Sequence, residues 1–238
     1  MLEAIHLSKT YRNGVRALSD LSLRVPDGEL YCLLGANGAG KTTTLSCFLD
    51  FTVPTSGQAV VDGIVVAERP LEAKRRCGYV AERVAVYETL SAVENLRYFA
   101  RLGGVRLTRA AAARALADAG LDEFQQSRPV RQYSKGMRQK LAIAIAISRG
   151  ADNLLLDEPT AGLDPTAARE LMTLLERVRA DGCAILMSTH DVFRAARHAD
   201  RIGIMRSGAL VREFAPRHLT RHEIGAVYAD CGGAAVPA

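Results

Sequence analysis

Residues 30–43 read Leu-Tyr-Cys-Leu-Leu-Gly-Ala-Asn-Gly-Ala-Gly-Lys-Thr-Thr. The apolar run Leu30 to Leu34 predicts a buried strand, and Lys41 to Leu49 suits a helix. The turn between them, Gly35 to Thr42, matches the pattern GxxxxGK[ST] in the strand–turn–helix context that the pattern requires. Its glycines let successive N–H groups turn inward, making a concave anion nest at a helix N-terminus. Lys41 adds a point charge for β- and γ-phosphates, and the Thr42 hydroxyl is a ligand for Mg²⁺. The expected phosphate-binding set is Gly35, Asn37, Gly38, Ala39, Gly40, Lys41, Thr42 and Thr43. The competing reading is a glycine-rich turn without a ligand.

Upstream of this turn the chain reads as short strands. Leu2 to Leu7 and Ala17 to Val25 alternate, and Pro26-Asp27-Gly28 is a turn. Downstream, Val60 to Val66 reads as a hairpin, because Asp62-Gly63 separates two β-branched pairs. Between about Arg83 and Tyr133 the composition shifts to Ala, Arg, Leu and Glu at helical spacing, which predicts a small helical insert. Ser91 with Glu94 makes a capping box there, and Gly120 closes the alanine-rich helix Thr108 to Ala119. Strand and helix then alternate: a helix to Ser148, a strand Asn153 to Leu156, a helix Pro165 to Ala180, and a strand Cys183 to Ser188. That alternation predicts crossover connections and a parallel sheet.

Phosphate chemistry with a metal needs a carboxylate, and hydrolysis needs a base for water. Leu154-Leu155-Leu156-Asp157-Glu158-Pro159 supplies both at the C-terminal end of a buried strand, the edge where parallel sheets place ligands. Asp157 is assigned to the metal and Glu158 to the attacking water; an acidic helix cap is the alternative. A second serine–glycine turn, Tyr133-Ser134-Lys135-Gly136-Met137, caps the apolar helix that follows. Taken alone it is an ordinary cap, and also a second potential phosphate site. His190 follows a strand on the same expected sheet edge; in isolation a lone histidine is more often structural.

Composition sets bounds. The chain has 238 residues, 48% hydrophobic and 24% charged, which fits one globular domain with a small insert and excludes a disordered chain. The longest apolar run, Leu141 to Ile147, is too short to span a bilayer. The first residues lack the features of a signal peptide. Five scattered cysteines without a CxxC pair argue against a disulfide framework or a zinc site. A soluble, intracellular chain without structural metal is expected. The net charge of +5 is mild and contains no long basic run, so nucleic acid is not an expected partner. Basic residues thicken between Arg194 and His222, either as a solvated face or as a surface near acidic lipid headgroups.

Together and in order, these motifs resemble the ATP-binding subunits of ABC transporters, from about residue 2 to 213. The resemblance implies that Tyr11 stacks on adenine and that Glu82 occupies the Q-loop position. It makes Ser134-Lys135-Gly136-Met137 the signature, Asp157 and Glu158 the Walker B pair, Ala161-Gly162-Leu163-Asp164 the D-loop, and His190 the switch histidine. The implied cofactors are ATP and Mg²⁺. Catalysis falls to Glu158, His190 and Lys41, nucleotide contact also to Tyr11, Glu82, Ser134, Gly136 and Asp164, and metal ligation to Thr42, Glu82 and Asp157. The expected fold class is α/β, a P-loop NTPase with a RecA-like parallel sheet and flanking helices, an N-terminal antiparallel β subdomain and a helical insert. Residues 1–230 would form one ATPase domain, its core at 1–82 and 150–230 and its helical subdomain at about 83–149, with 231–238 a flexible tail.

In this family two chains face head to tail, so Ser134 and Gly136 of one copy would close over ATP held by the other. The second ATPase chain is either an identical or a different copy. The chain departs from the common pattern in two motifs: Ala81-Glu82 replaces the Pro-Gln of the Q-loop, and Tyr133-Ser134-Lys135-Gly136-Met137 replaces Leu-Ser-Gly-Gly-Gln in the signature, which puts Lys135 inside it. Both resemble subunits paired with ABC-2-type permeases, mostly exporters. The expectation is an engine driving a separate transmembrane permease from the cytoplasmic face of the membrane. The alternative is a soluble ABC-type ATPase acting on a ribosome or a DNA-linked complex; a P-loop kinase or GTPase has no use for the serine–glycine signature.

Overall fold

The computed structural model describes residues 1–231; the expectation for the tail lies, beyond Cys231, outside the described residues. The buried strand β3 (Leu30–Leu34) sits inside a six-stranded sheet. The other strands are β6 (Cys77–Val80), β7 (Asn153–Asp157), β8 (Ala184–Thr189), β9 (Arg201–Arg206) and β10 (Ala209–Phe214), in the order β10-β9-β3-β8-β7-β6. All adjacent pairs are parallel except β10 with β9, an antiparallel hairpin at the edge. The expected parallel sheet therefore carries one antiparallel edge strand. β6, β9 and β10 are additional to the strands read from the sequence, since Gly78 and Gly203 interrupt the apolar pattern of two of them.

A separate four-stranded antiparallel sheet comprises β1 (Leu2–Thr10), β2 (Arg16–Val25), β4 (Ser56–Val61) and β5 (Ile64–Val65), in the order β2-β1-β4-β5. Asp62 and Gly63, both at positive φ, form the turn between β4 and β5, as the Asp-Gly pair predicts.

β3 explains why the two sheets pack as they do. All five of its residues are buried. Leu30, Cys32 and Leu34 face one apolar cluster, and Tyr31 and Leu33 face another. β7 and β8 divide likewise: Leu154, Leu156, Ile185 and Met187 join the first cluster, Leu155, Ala184 and Leu186 the second. A strand with period-two side chains and no polar face must be covered on both sides. The second cluster lies under β1, β2, β4 and α1 (Lys41–Phe48). The first is completed by α3 (Ala92–Leu102), α4 (Arg109–Asp118), α6 (Lys135–Ser148) and α7 (Pro165–Ala180).

Between β6 and β7 the chain forms α3, α4, the short α5 (Glu123–Ser127) and then α6. The Ser91–Glu94 capping box is present, with both reciprocal hydrogen bonds. α2 (Pro70–Arg76), α8 (Val192–His198) and α9 (Arg221–Asp230) are helices that the sequence reading passed over. α2 had usable signals, Pro70 at its first position and Lys74, Arg75 and Arg76 in its last turn.

Candidate nucleotide site

The turn from β3 to α1 leaves the N-terminus of α1 without a side-chain cap. The orphan N–H groups of its first turn are therefore available to an anion. Glycine is required twice by geometry. Gly40 has φ +107°, and a Cβ there would lie 2.6 Å from the Ala17 carbonyl oxygen. A Cβ on Gly35 would lie 2.6 Å from the Met205 carbonyl oxygen. The loop is thus pressed between β2 and β9, which holds its N–H groups in place.

Lys41 is 6% exposed and folds back onto the loop. Its Nζ donates to the Gly35 carbonyl at 2.6 Å and to that of Ala36 at 3.3 Å, and lies 3.6 Å from Glu158 Oε1. A buried ammonium needs such partners. Thr42 Oγ1 donates to Asp157 at 3.0 Å and 3.2 Å, joining the start of α1 to the end of β7.

Glu158 has φ +47°, left-handed for a residue with a side chain. The conformation is held by the neighbouring strand: the Glu158 N–H donates to the Ser188 carbonyl at 3.2 Å and to Ser188 Oγ at 3.0 Å. Ser188 Oγ in turn donates to Asp157 Oδ1 at 2.5 Å. His190 Nδ1 lies 2.9 Å from Glu158 Oε2. Glu158 Oε1 is buried and, among the described residues, has no hydrogen-bond partner, only the Lys41 ammonium nearby. Such strain and such an orphaned acceptor mark a site shaped for something other than stability.

A cleft of about 490 Å³ gathers Tyr11, Arg16, the loop from Ala36 to Thr43, Glu82, Asp157 and Glu158. Tyr11 is 39% exposed at its rim, its hydroxyl 3.4 Å from Thr43 Oγ1. The cleft does not include Ser134, Gly136 or Asp164. Ser134 caps α6, accepting from the Met137 N–H at 3.3 Å, and Asp164 caps α7, accepting from Thr166 and Ala167. One chain thus lines the cleft with eleven of the expected residues, with Gly35 at the start of the loop and His190 on Glu158, and leaves three outside it. A separate cleft of about 530 Å³ between α7 and α8 shares no lining residue with it.

The sequence reading missed Ser188 and Gln139. Ser188 stood two residues before His190 at a strand end, a legible hint. Gln139, fully buried on α6, donates to the carbonyls of Ala81 at 3.2 Å and Glu82 at 3.1 Å, a contact visible only in three dimensions.

Residues 18–161 match the family model described as ABC transporter. The chain belongs to the ABC transporter family. Within it, the protein is an ATP-binding subunit and an ATPase. It is 36% identical over 237 residues to the Nod factor export ATP-binding protein I of Cupriavidus pinatubonensis, covering 97% of this chain and 72% of that protein. It is 37% identical over 210 residues to the phospholipid-transporting ATPase ABCA3 of Homo sapiens, covering 86% of this chain but only 12% of that protein's length. Among solved structures, a dimeric ATP-binding cassette in a post-hydrolysis state, bound to ADP and Pi, superposes with a TM-score of 0.81 at 28% identity. That likeness covers 92% of this chain and 100% of the other. Among the described residues of this ABC subunit, no helix is long and apolar enough to cross a membrane.

Proposed function

We propose that this ABC subunit closes with a second ATPase chain around two Mg-ATP and so drives a separate transmembrane permease of ABC-2 type, in the direction of export, from the cytoplasmic face. The observation that carries the reading is the division of the site. The phosphate loop, Asp157, Glu158 and His190 converge in one place, while Ser134 and Gly136 lie at a different helix start, outside the cleft. A second chain brought head to tail supplies what the cleft lacks.

The residues suit Mg²⁺. Among the described residues no three His, Cys, Asp or Glu form a metal set. Mg²⁺ needs no such cage; it is held by one or two oxygen ligands together with substrate phosphates and water. Thr42 and Asp157 present adjacent hard oxygens. Glu82, the third expected ligand, lines the same cleft, but its carboxylate is paired with Lys135 and would have to turn to reach the ion. When bound there, the ion would neutralise phosphate charge. Lys41 would trade its carbonyl partners for phosphate oxygens. Glu158 would accept the proton of the attacking water, with His190 holding the carboxylate in place from its Oε2 side. Tyr11 would pack on the base. Gly35, Asn37, Gly38, Ala39 and Gly40 would contribute backbone contacts, and Thr43 the next N–H of the helix. The Asp164 carboxylate fixes the start of α7, and the D-loop before it would face the second chain.

The export direction rests on the resemblance of Glu82 and of Lys135-Gly136-Met137 to ABC-2-type partners, and on the Nod factor export relative. The test is a mixed dimer carrying Ser134→Ala in one chain only. The reading requires loss of closure over the nucleotide held by the unaltered chain. If only the altered chain's own nucleotide is affected, the head-to-tail arrangement is wrong. Co-purification of a multi-span membrane protein supports the engine role, whereas ribosomes or nucleic acid would overturn it.

A further inference from the structure

The charged residues of the two departing motifs meet in space. Lys135 Nζ lies 3.6 Å from Glu82 Oε1, although 53 residues separate them in sequence. Lys135 is the first residue of α6, where a cation faces the positive end of the helix macrodipole, and α6 has no acidic residue in its first turn. Glu82 supplies from another segment the negative charge that the helix lacks. Glu82 has its own electrostatic difficulty. It shares the cleft with Asp157 and Glu158, so three carboxylates border a loop built to receive phosphates.

The backbone keeps the pair together. Gln139, one turn further along α6, holds the carbonyls of Ala81 and Glu82 from a fully buried position. The loop therefore follows α6, while the Glu82 side chain, 55% exposed, keeps its freedom to rotate. Whether that carboxylate turns toward the phosphates or away depends on what else attracts it.

We propose that Lys135 is a positioning residue, the intramolecular counter-charge that draws the Glu82 carboxylate toward α6 and away from the phosphate loop, so that the pair jointly sets nucleotide affinity. The inference rests on the nucleotide-site reading above. An ion pair this exposed contributes little to folding. Its effect falls on the bound anion, through repulsion that salt screens.

The experiment is a double-mutant cycle. The magnesium complex of a β,γ-imido ATP analogue is titrated calorimetrically into the full chain, at a protein concentration where light scattering reports a monomer. The proteins are wild type, Lys135→Met, Glu82→Gln, the double variant and Lys41→Ala. Lys135→Met should weaken binding by about three- to tenfold at low salt, and by less than twofold at 0.5 M salt. In the Glu82→Gln background the same replacement should change affinity by less than twofold. Melting temperatures of the Lys135 and Glu82 variants should stay within about 2 °C of wild type.

Equal weakening by Lys135→Met in both backgrounds, or no weakening beside Glu82, would show that Lys135 does not act through Glu82 and overturn the proposal. Lys41→Ala separates the two levels. If it abolishes binding and the cycle is additive, only the charge-pair inference fails. If it binds as wild type does, the nucleotide-site reading fails with it.

Discussion

Ser188 Oγ donates to Asp157 at 2.5 Å and accepts the Glu158 N–H at 3.0 Å, so one hydroxyl on β8 orients the last residue of β7 and the acidic residue that follows it. The arrangement is available because β7 and β8 run parallel with Asp157 opposite Ser188. A group that orients a ligand is commonly worth 10- to 100-fold in metal affinity or activity. Ser188→Ala should therefore raise the Mg²⁺ concentration needed for half-maximal ATP turnover by about tenfold or more. The check is a Mg²⁺ titration of ATPase rate; an unchanged midpoint would leave Ser188 a packing residue only.

Glu158 is the proposed base, and its backbone is held at φ +47° to point it into the cleft. Glu158→Gln keeps the shape and removes the basicity. Turnover should fall by about 10²- to 10⁴-fold. ATP binding should survive and an ATP-bound dimer should accumulate, read by gel filtration with and without nucleotide. Normal turnover in this variant would remove Glu158 from its role.

Gly40→Ala places a methyl group 2.6 Å from the Ala17 carbonyl and demands φ +107° of an alanine. Neither a side-chain rotation nor a small shift relieves a clash with backbone. The expected cost is about 2 kcal/mol or more, with loss of nucleotide binding because the anion nest must distort. For a chain of this length 2 kcal/mol lowers the melting temperature by about 4–8 °C.

Burial pushes the thiols of Cys47 up to about 11 and of Cys77 and Cys183 up to about 12, and raises Cys32 as well. All four are therefore neutral thiols at pH 8, whereas Cys231 is only half-buried. Iodoacetamide at pH 8 should modify Cys231 first and the other four only at the rate of unfolding, as mass spectrometry of timed samples would show. The sign for stability follows. Unfolded thiols lose protons near pH 9 while the folded ones hold theirs to about 11–12, so the unfolded state binds fewer protons in that window. The contribution is complete below pH 9 and is lost progressively above it. Melting temperature should fall between pH 9 and 11, and less steeply in a Cys77→Ala, Cys183→Ala variant.

Much of this was legible from local chemistry. The phosphate loop is encoded by consecutive residues, because turn geometry, anion nest and helix start are all local properties of Gly35 to Thr42. The same holds for the Asp62-Gly63 hairpin and the Ser91–Glu94 cap, each a short-range hydrogen-bond pattern. β9 and β10 were less legible. β9 is buried at four of its positions but is interrupted by Gly203, and β10 is an edge strand with no buried residue whose apolar run Ala209 to Val211 is broken by Arg212 and Glu213, so neither presents a clean period.

The amino-acid order alone determined which groups exist: a loop for phosphates, an acidic pair after an apolar strand, a histidine after another, and a serine–glycine helix start. Tertiary structure alone decided which of them meet. Parallel pairing of β7 with β8 sets Ser188 against Asp157, the packing of α6 on β6 brings Lys135 and Gln139 to Glu82, and Ser134 stays outside the cleft. The reason is that hydrogen bonds and ion pairs act over a few ångströms, and between residues 30 to 60 positions apart only the register of strands and the seating of helices determines that distance.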